Sequence, residues 1–290
     1  MTVGYIVGAT PARVGNAEVV RELFEEILAG HRFDEAAERI RPGYVEHDPL
    51  IGALPGGLVG FWQAIAAEFD GLEVAVENLV PDNDRVMLFV TWRGRTRTGA
   101  TGTLHTAELL RLDGGKVAEH WAVVDQSVLV PLGIGPGEGG QPAGPGLVGP
   151  HSDLEVANAE LVLGAYRVVF SEHRLDLAET YYHQNYAHHN LKTDQVPAGL
   201  DAFKAYFADN IAAFPDLTTT VEHIVADGDR VMVFVVWRGT LTGAWSGGGP
   251  SDRELVMRTC DQFRIAGGKV AEHWEVVDYL ALEQAGLPTP

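Results

Sequence analysis

A 290-residue chain with a formal charge of −19 would be repelled by nucleic-acid phosphates and anionic membrane surfaces, so neither is expected as a partner. Its hydrophobic content of 46% and charged content of 21% are those of a globular protein with room for two domains, each burying its own core. A single cysteine, Cys260, rules out a disulfide framework. No apolar run approaches the roughly 20 residues that span a bilayer, and the first residues lack a secretory pattern, so a cytoplasmic location is expected.

Residues 1–15 are read as a tail. A helix is predicted from Asn16, where Val19, Val20, Leu23, Phe24, Ile27 and Leu28 recur at helical spacing and Gly30 stops it. A short second helix over 34–40 ends before Pro42. Tyr44-Val45-Glu46-His47-Asp48-Pro49 and a Gly/Pro-rich loop follow, then a third helix over 58–69 with Phe61, Ile65 and Phe69 on one stripe. Four strands are predicted over 72–79, 85–93, 103–112 and 116–125, separated by turns at Asn83-Asp84, Gly99 with Gly102, and Gly114-Gly115. Residues 133–150 hold 12 Gly or Pro among 18 and read as a linker. The G-x-G-x-x-G match at Gly135, Gly137 and Gly140 is rejected as a dinucleotide motif, because no helix can begin there.

The order then repeats. Gly114-Gly115-Lys116-Val117-Ala118-Glu119-His120-Trp121 returns as residues 267–274, and the agreement runs to Asp125 and Asp278 over 11 of 12 positions, broken by Ala122 against Glu275. Asn158 echoes Asn16, Tyr186-Ala187-His188-His189-Asn190 echoes 44–48, and Trp237-Arg238-Gly239 echoes Trp92-Arg93-Gly94. The second copy carries 8 extra residues between Gly239 and Gly267, which lengthen the turn around Trp245. Each copy therefore reads as three helices and a four-stranded antiparallel sheet, an α+β domain whose curved sheet leaves a pocket for small ligands. The expected domains are 16–134 and 153–290, joined by 135–152.

These residues resemble a known family. The Tyr-x-x-His-[Asp/Asn] segment, the Gly-rich loop, the Phe-bearing helix and the closing Gly-Lys-Val-x-Glu-His-Trp-x-Val-x-Asp strand look like SnoaL-like proteins of the NTF2-like superfamily, over 16–134 and 153–287. The resemblance implies two tandem α+β cones, helices over a curved antiparallel sheet, paired sheet to sheet as a pseudo-dimer within one chain. It further implies a polyketide cyclase-like enzyme in which a pocket Asp is the acid/base for an aldol closure, without metal or cofactor. Asp125 or Asp278 occupies the matching position. The superfamily also holds isomerases, dehydratases, epoxide-hydrolase-like enzymes and non-catalytic binding modules. An epoxide hydrolase would need Asp where Val123 and Val276 stand.

Strict alternation would put Glu119, Trp121, Val123 and Asp125 on one strand face, where they line either a pocket or a solvated acidic edge. Trp121, Trp274, Asp125 and Asp278 are expected at the cavities, and His120 and His273 on the opposite face. In the preceding strand Leu104, Thr106, Glu108, Leu110 and Leu112 share a face, as do Met257, Thr259, Asp261, Phe263 and Ile265. A carboxylate within an apolar stripe is either an acid/base group or a partner of Arg93 or Arg238. His47 and His189, with Tyr44 and Tyr186, are candidate proton donors at the mouth or packing residues. His183, His188 and His189 form no metal motif, and Ser246 only approximates a nucleophile elbow. The expected function is cofactor-independent acid/base chemistry on a small apolar substrate, with Asp261 the favoured centre and Trp245 a lid. A binding module without turnover is the alternative.

Overall fold

The computed structural model of the chain describes residues 10–97, 99–135, 141, 144, 146–193, 198–245 and 247–288. Most of the rejected glycine motif, residue Ser246 and the first nine residues lie outside them. The chain divides into two compact units, Met1–Pro142 and Ala143–Pro290, at a point inside the Gly/Pro-rich stretch.

In the first unit α1 (Pro11–Glu22) begins five residues before the expected Asn16. Thr10 caps it by accepting from Arg13 N, and Pro11 fills the first helical turn, where a missing N–H costs nothing. The helix runs into a π-helical turn, Leu23–Leu28. Then come α2 (Phe33–Glu38), β1 (Ile40–Glu46), α3 (Pro49–Ala53), α4 (Gly57–Glu68), β2 (Phe69–Asp82), β3 (Arg85–Thr96), β4 (Thr101–Asp113), β5 (Lys116–Val124) and α5 (Gln126–Leu129). The second unit repeats the plan: α6 (Asp153–Ala165) with a π-helical turn (Tyr166–Ser171), α7 (Ala178–Tyr181), β6 (Tyr182–Asn190), α8 (Gly199–Ala213), β7 (Thr218–Asp227), β8 (Arg230–Thr240), β9 (Glu254–Ala266), β10 (Lys269–Val277) and α9 (Leu280–Gln284).

Each unit is an α+β cone. The four expected antiparallel strands are present, and a fifth joins them: β1 and β6 pair in parallel with β5 and β10, giving mixed sheets ordered β1-β5-β4-β3-β2 and β6-β10-β9-β8-β7. The Tyr44 and Tyr186 segments, assigned to no element from sequence, are therefore edge strands.

The closing strands do not alternate strictly. Leu112 faces Val117 and Arg111 faces Glu119, which leaves Ala118 as a bulge, and in the second unit Ala271 is skipped in the same way. One extra residue reverses the side-chain alternation beyond it. Val117 points into the core, but so then do Ala122 and Val124. His120 and His273 turn inward with them, opposite to expectation. Outside, His47 stacks on Trp121 at 4.2 Å and His189 on Trp274 at 4.9 Å, while Glu119 and Glu272 bind Arg111 and Arg264.

The inward turn gives the carboxylates of β4 and β9 a partner other than Arg93 or Arg238. In the first unit His120 is fully buried, with Nδ1 3.0 Å from both oxygens of Glu46 and Nε2 2.6 Å from Glu108. Thr106 donates to Glu108 at 2.5 Å and itself accepts from Trp92 Nε1 at 3.0 Å. Tyr44 donates its hydroxyl hydrogen to Glu46. Burial opposes a charge on His120, but the two carboxylates outweigh it and raise its pKa to about 10. The interior beside this cluster is occupied by Trp62, packed edge-on to Phe24 at 5.9 Å. Asp48, whose pKa burial raises to about 6, caps α3 by accepting from Leu50 and Ile51 N–H. Gln141, from the linker, donates to Asp48 at 3.0 Å and pairs its amide with both N–H and C=O of Ala122, where β1 has already ended.

Two consequences are measurable. A group whose pKa is raised on folding stabilises fully below its unfolded value and loses that contribution as pH rises through the folded one. Calorimetry of the full chain should therefore show the melting temperature falling as pH climbs from 6.5 through about 10, with a shallower fall in His120→Gln. Removing Trp62 leaves a large hole, and denaturant titration of Trp62→Ala should register a loss of about 3–5 kcal/mol.

Candidate functional site

The second unit holds a cavity of about 400 Å³ inside its cone. Its walls are aromatic: Phe170 and Tyr166 from the π-helical turn, Phe203 and Phe207 from α8, and Trp237 from β8. Phe170 stands 4.6 Å from Phe207 and 5.2 Å from Trp237. The site matching Trp62 in α4 is Lys204, which turns outward to Glu179 at 2.6 Å and leaves the interior open. Trp245, in the lengthened turn, lines the cavity and donates its indole N–H to Asn210 of α8.

Two polar clusters face this space. In the first, Asp261 accepts three hydrogen bonds: from His273 Nε2 at 2.8 Å, from Tyr166 at 2.8 Å and from Thr259 at 2.6 Å. Trp237 Nε1 donates to Thr259 at 3.0 Å, the same Trp–Thr–acid–His chain as in the first unit. The far nitrogen of His273, Nδ1, lies 2.9 Å from the Tyr186 hydroxyl. Burial drives the phenol pKa of Tyr186 and Tyr166 well above its ordinary value, so both stay protonated.

The second cluster is Glu275 with His188. His188 Nε2 stands 3.0 Å from Glu275 Oε1, and Asn190 donates to the same oxygen at 2.7 Å while also donating to Tyr279. Both contacts fall on Oε1, so Oε2 has no partner among the described residues. Burial disfavours the Glu275 charge, but the His188 imidazole and the Asn190 amide overcome it and hold the carboxyl well below the usual range. Burial likewise opposes protonation of His188, and Glu275 reverses that, raising its pKa. The outcome is a close histidine–carboxylate pair on an aromatic wall, with each group's charged form favoured by the other.

The candidates from sequence divide. Asp261, Thr259, Tyr186 and Trp245 meet at the cavity. Glu108 and Thr106 are fully buried in the matching cluster of the first unit. His47 and His189 lie on the outer sheet face with Trp121 and Trp274, because each pairs in register with or beside the outward-turned strand positions. Asp125 caps α5 by accepting from Ser127 N–H, and Asp278 accepts from Leu280 N–H; neither lines the cavity. Tyr166 and Glu275 were not named as candidates, His273 was expected on the opposite face, and His188 was weighed only for a metal motif. Glu275 carried a visible signal, since it is the one break in the twelve-residue repeat.

His188, His273 and Glu275 place ligand atoms within 4.8 Å of one another. The two imidazoles stack at 4.4 Å and 19°, so their in-plane lone pairs do not converge on one point, and both nitrogens of His273 already have partners. This is not ligand geometry without ring rotation. His183 is directed elsewhere, to the Ala266 carbonyl at 2.7 Å.

Residues 160–286 match the family described as SnoaL-like polyketide cyclase, and residues 20–120 match the SnoaL-like domain. Among solved structures, a protein assigned as a SnoaL-like polyketide cyclase from Jannaschia sp. CCS1 is 24% identical, with 49% of this chain covering 100% of that one at a TM-score of 0.45. AclR from Streptomyces galilaeus, assigned as a hydroxylase, is 23% identical over 46% of this chain and 99% of its own, TM-score 0.41. IdmH from Streptomyces antibioticus, assigned as a polyketide cyclase, is 24% identical over 44% and 96%, TM-score 0.39. No curated protein matches the sequence. With both units matched in order and each folded as an α+β cone, the chain is a tandem member of the SnoaL-like family.

Proposed function

We propose that the second unit is an acid/base enzyme that removes a proton next to a carbonyl of a small aromatic or polyketide-like substrate, leading to ring closure or isomerisation. The observation that carries this reading is the Glu275–His188 pair on the wall of an aromatic cavity, at positions where the first unit has Ala122 and Glu46.

Asp261 was the favoured base from sequence, but its oxygens are occupied by three donors. Glu275 keeps Oε2 open. In the proposed step Oε2 takes the C–H proton, and the electron pair moves onto the carbonyl oxygen. His188, whose pKa the neighbouring Glu275 raises, donates in its protonated form to that oxygen as its negative charge grows. The enolate carbon then attacks a second carbonyl of the same molecule, and the new alkoxide takes back the proton. In an isomerisation the proton returns to carbon instead. The pair supplies both acid and base, so proton transfer needs no added cofactor. Aromatic walls exclude water and hold a planar chain folded on itself.

We assign the first unit no turnover. Both nitrogens of His120 are held by carboxylates and Trp62 fills the interior beside them. There the reading is a structural or binding module.

Hydrogen–deuterium exchange at the central methylene of an aryl 1,3-diketone, followed by NMR, tests the chemistry without the natural substrate. Glu275→Gln should slow catalysed exchange by about 10²–10⁴-fold, while His189→Gln, on the outer face, leaves it unchanged. Equal exchange in the wild type and Glu275→Gln would end the proposal. The pH profile is a second check. Glu275 must be ionised and His188 protonated, so the rate should hold through neutral pH and fall only on the alkaline side, above the ordinary imidazole range. A rate that rises with pH through that range would contradict the role given to His188.

A further inference from the structure

The hydrogen bonds around Asp261 determine a polarity that the reaction proposed above does not use. Trp237 Nε1 can only donate, so Thr259 accepts from it and must send its own hydrogen to Asp261. Tyr166 donates to the same carboxylate oxygen, Oδ2. The other oxygen, Oδ1, faces His273 Nε2. An ionised carboxylate only accepts, so Nε2 carries a hydrogen. When the ring carries that single hydrogen, Nδ1 has a bare lone pair and the Tyr186 hydroxyl donates to it. The one hydrogen of Tyr186 is thus turned into the protein, and its oxygen offers only lone pairs to the cavity it lines.

We infer that Tyr186 is a specificity-determining hydrogen-bond acceptor, set in that polarity by Asp261 acting through the His273 tautomer, and that it selects a ligand bearing a hydroxyl donor: a phenol or an enol. Asp261 is here a positioning residue. The ligand would then carry two features, an enolisable carbonyl toward Glu275 and His188 and a ring hydroxyl toward Tyr186. The inference rests on the reading of this cavity as a ligand site.

The structure also states what reverses the polarity. In Asp261→Asn the two donors Thr259 and Tyr166 keep the amide oxygen at the Oδ2 position, so the NH₂ faces His273. It donates to Nε2, the hydrogen moves to Nδ1, and Nδ1 donates to the Tyr186 oxygen. The phenol hydrogen is then released toward the cavity, and Tyr186 becomes a donor. A carboxylate and an amide of the same shape should therefore choose opposite ligands.

The test is calorimetric titration of the full chain with three probes of one shape: 2-naphthol, 2-methylnaphthalene and 2-naphthaldehyde. The wild type should prefer naphthol over methylnaphthalene by roughly tenfold, the worth of one neutral hydrogen bond. Tyr186→Phe should bring naphthol down to methylnaphthalene while the latter binds as before. Asp261→Asn should invert the order, with the aldehyde bound more tightly than naphthol, an effect that loosened packing cannot produce. A naphthol preference that survives Tyr186→Phe would place the hydroxyl on Glu275 and overturn the inference. So would a folded Asp261→Asn with the wild-type order. If none of the probes binds, the cavity reading fails and this inference with it, whereas methylnaphthalene binding without a naphthol preference removes the inference alone.

Discussion

A histidine facing a carboxylate across two antiparallel strands is the interaction on which each cone depends. It sits between β4 and β5 in one unit and between β9 and β10 in the other, and in both the same Trp–Thr pair stands behind the acid. An isolated charge in such an interior would cost several kcal/mol, so the buried carboxylate needs the hydrogen bond its histidine supplies. Pairing them across neighbouring strands also fixes the register of the sheet, because a slip of one strand by one residue would turn one partner to the opposite face and separate the pair.

The duplication kept this framework and changed what touches it. In the first unit Glu46 inserts between Tyr44 and His120 and closes the cluster. At the matching position of the second unit His188 stands away from the carboxylate chain, stacked on His273 and drawn to Glu275. A swap of sign on an edge strand, Glu for His, thus separates a sealed ionic core from one whose proton-carrying groups face open space. Trp62 against Lys204 makes the same distinction in volume: one side chain fills the cone, the other leaves it.

Much of this was legible in the residues. The repeat, the helices bearing Phe61 and Phe203, the four antiparallel strands and the inward face of Glu108 and Asp261 follow from periodicity and turn residues, and the structure has them. The edge strands were not legible: β1 is seven residues long, mostly exposed, and contains Pro42 and Gly43, so no alternation marks it. The face of β5 and β10 was lost for a different reason. The two-residue Gly-Gly turn predicts a register in which Trp121 and Glu119 point inward, and only the bulge at Ala118 reverses it. Alanine carries no mark of a bulge. Once the strand was inverted, His120 and His273 were assigned to the wrong side. His188 and His189 exchanged roles with them, since neighbours on a strand face opposite ways.

Gln141 gives the linker a second character. Its amide supplies Ala122 with the donor and acceptor that a longer edge strand would have supplied, as Asn190 of β6 stands beside Glu275 in the other unit. The connector between the two copies is therefore partly owned by the first. A gene fragment cut where the glycines begin would encode a cone with an open seam, and shuffling the halves of such tandem proteins would join an edge to a connector that does not fit it. Duplication made the two copies alike, and the start of the segment that joins them completes the sheet edge of the first alone.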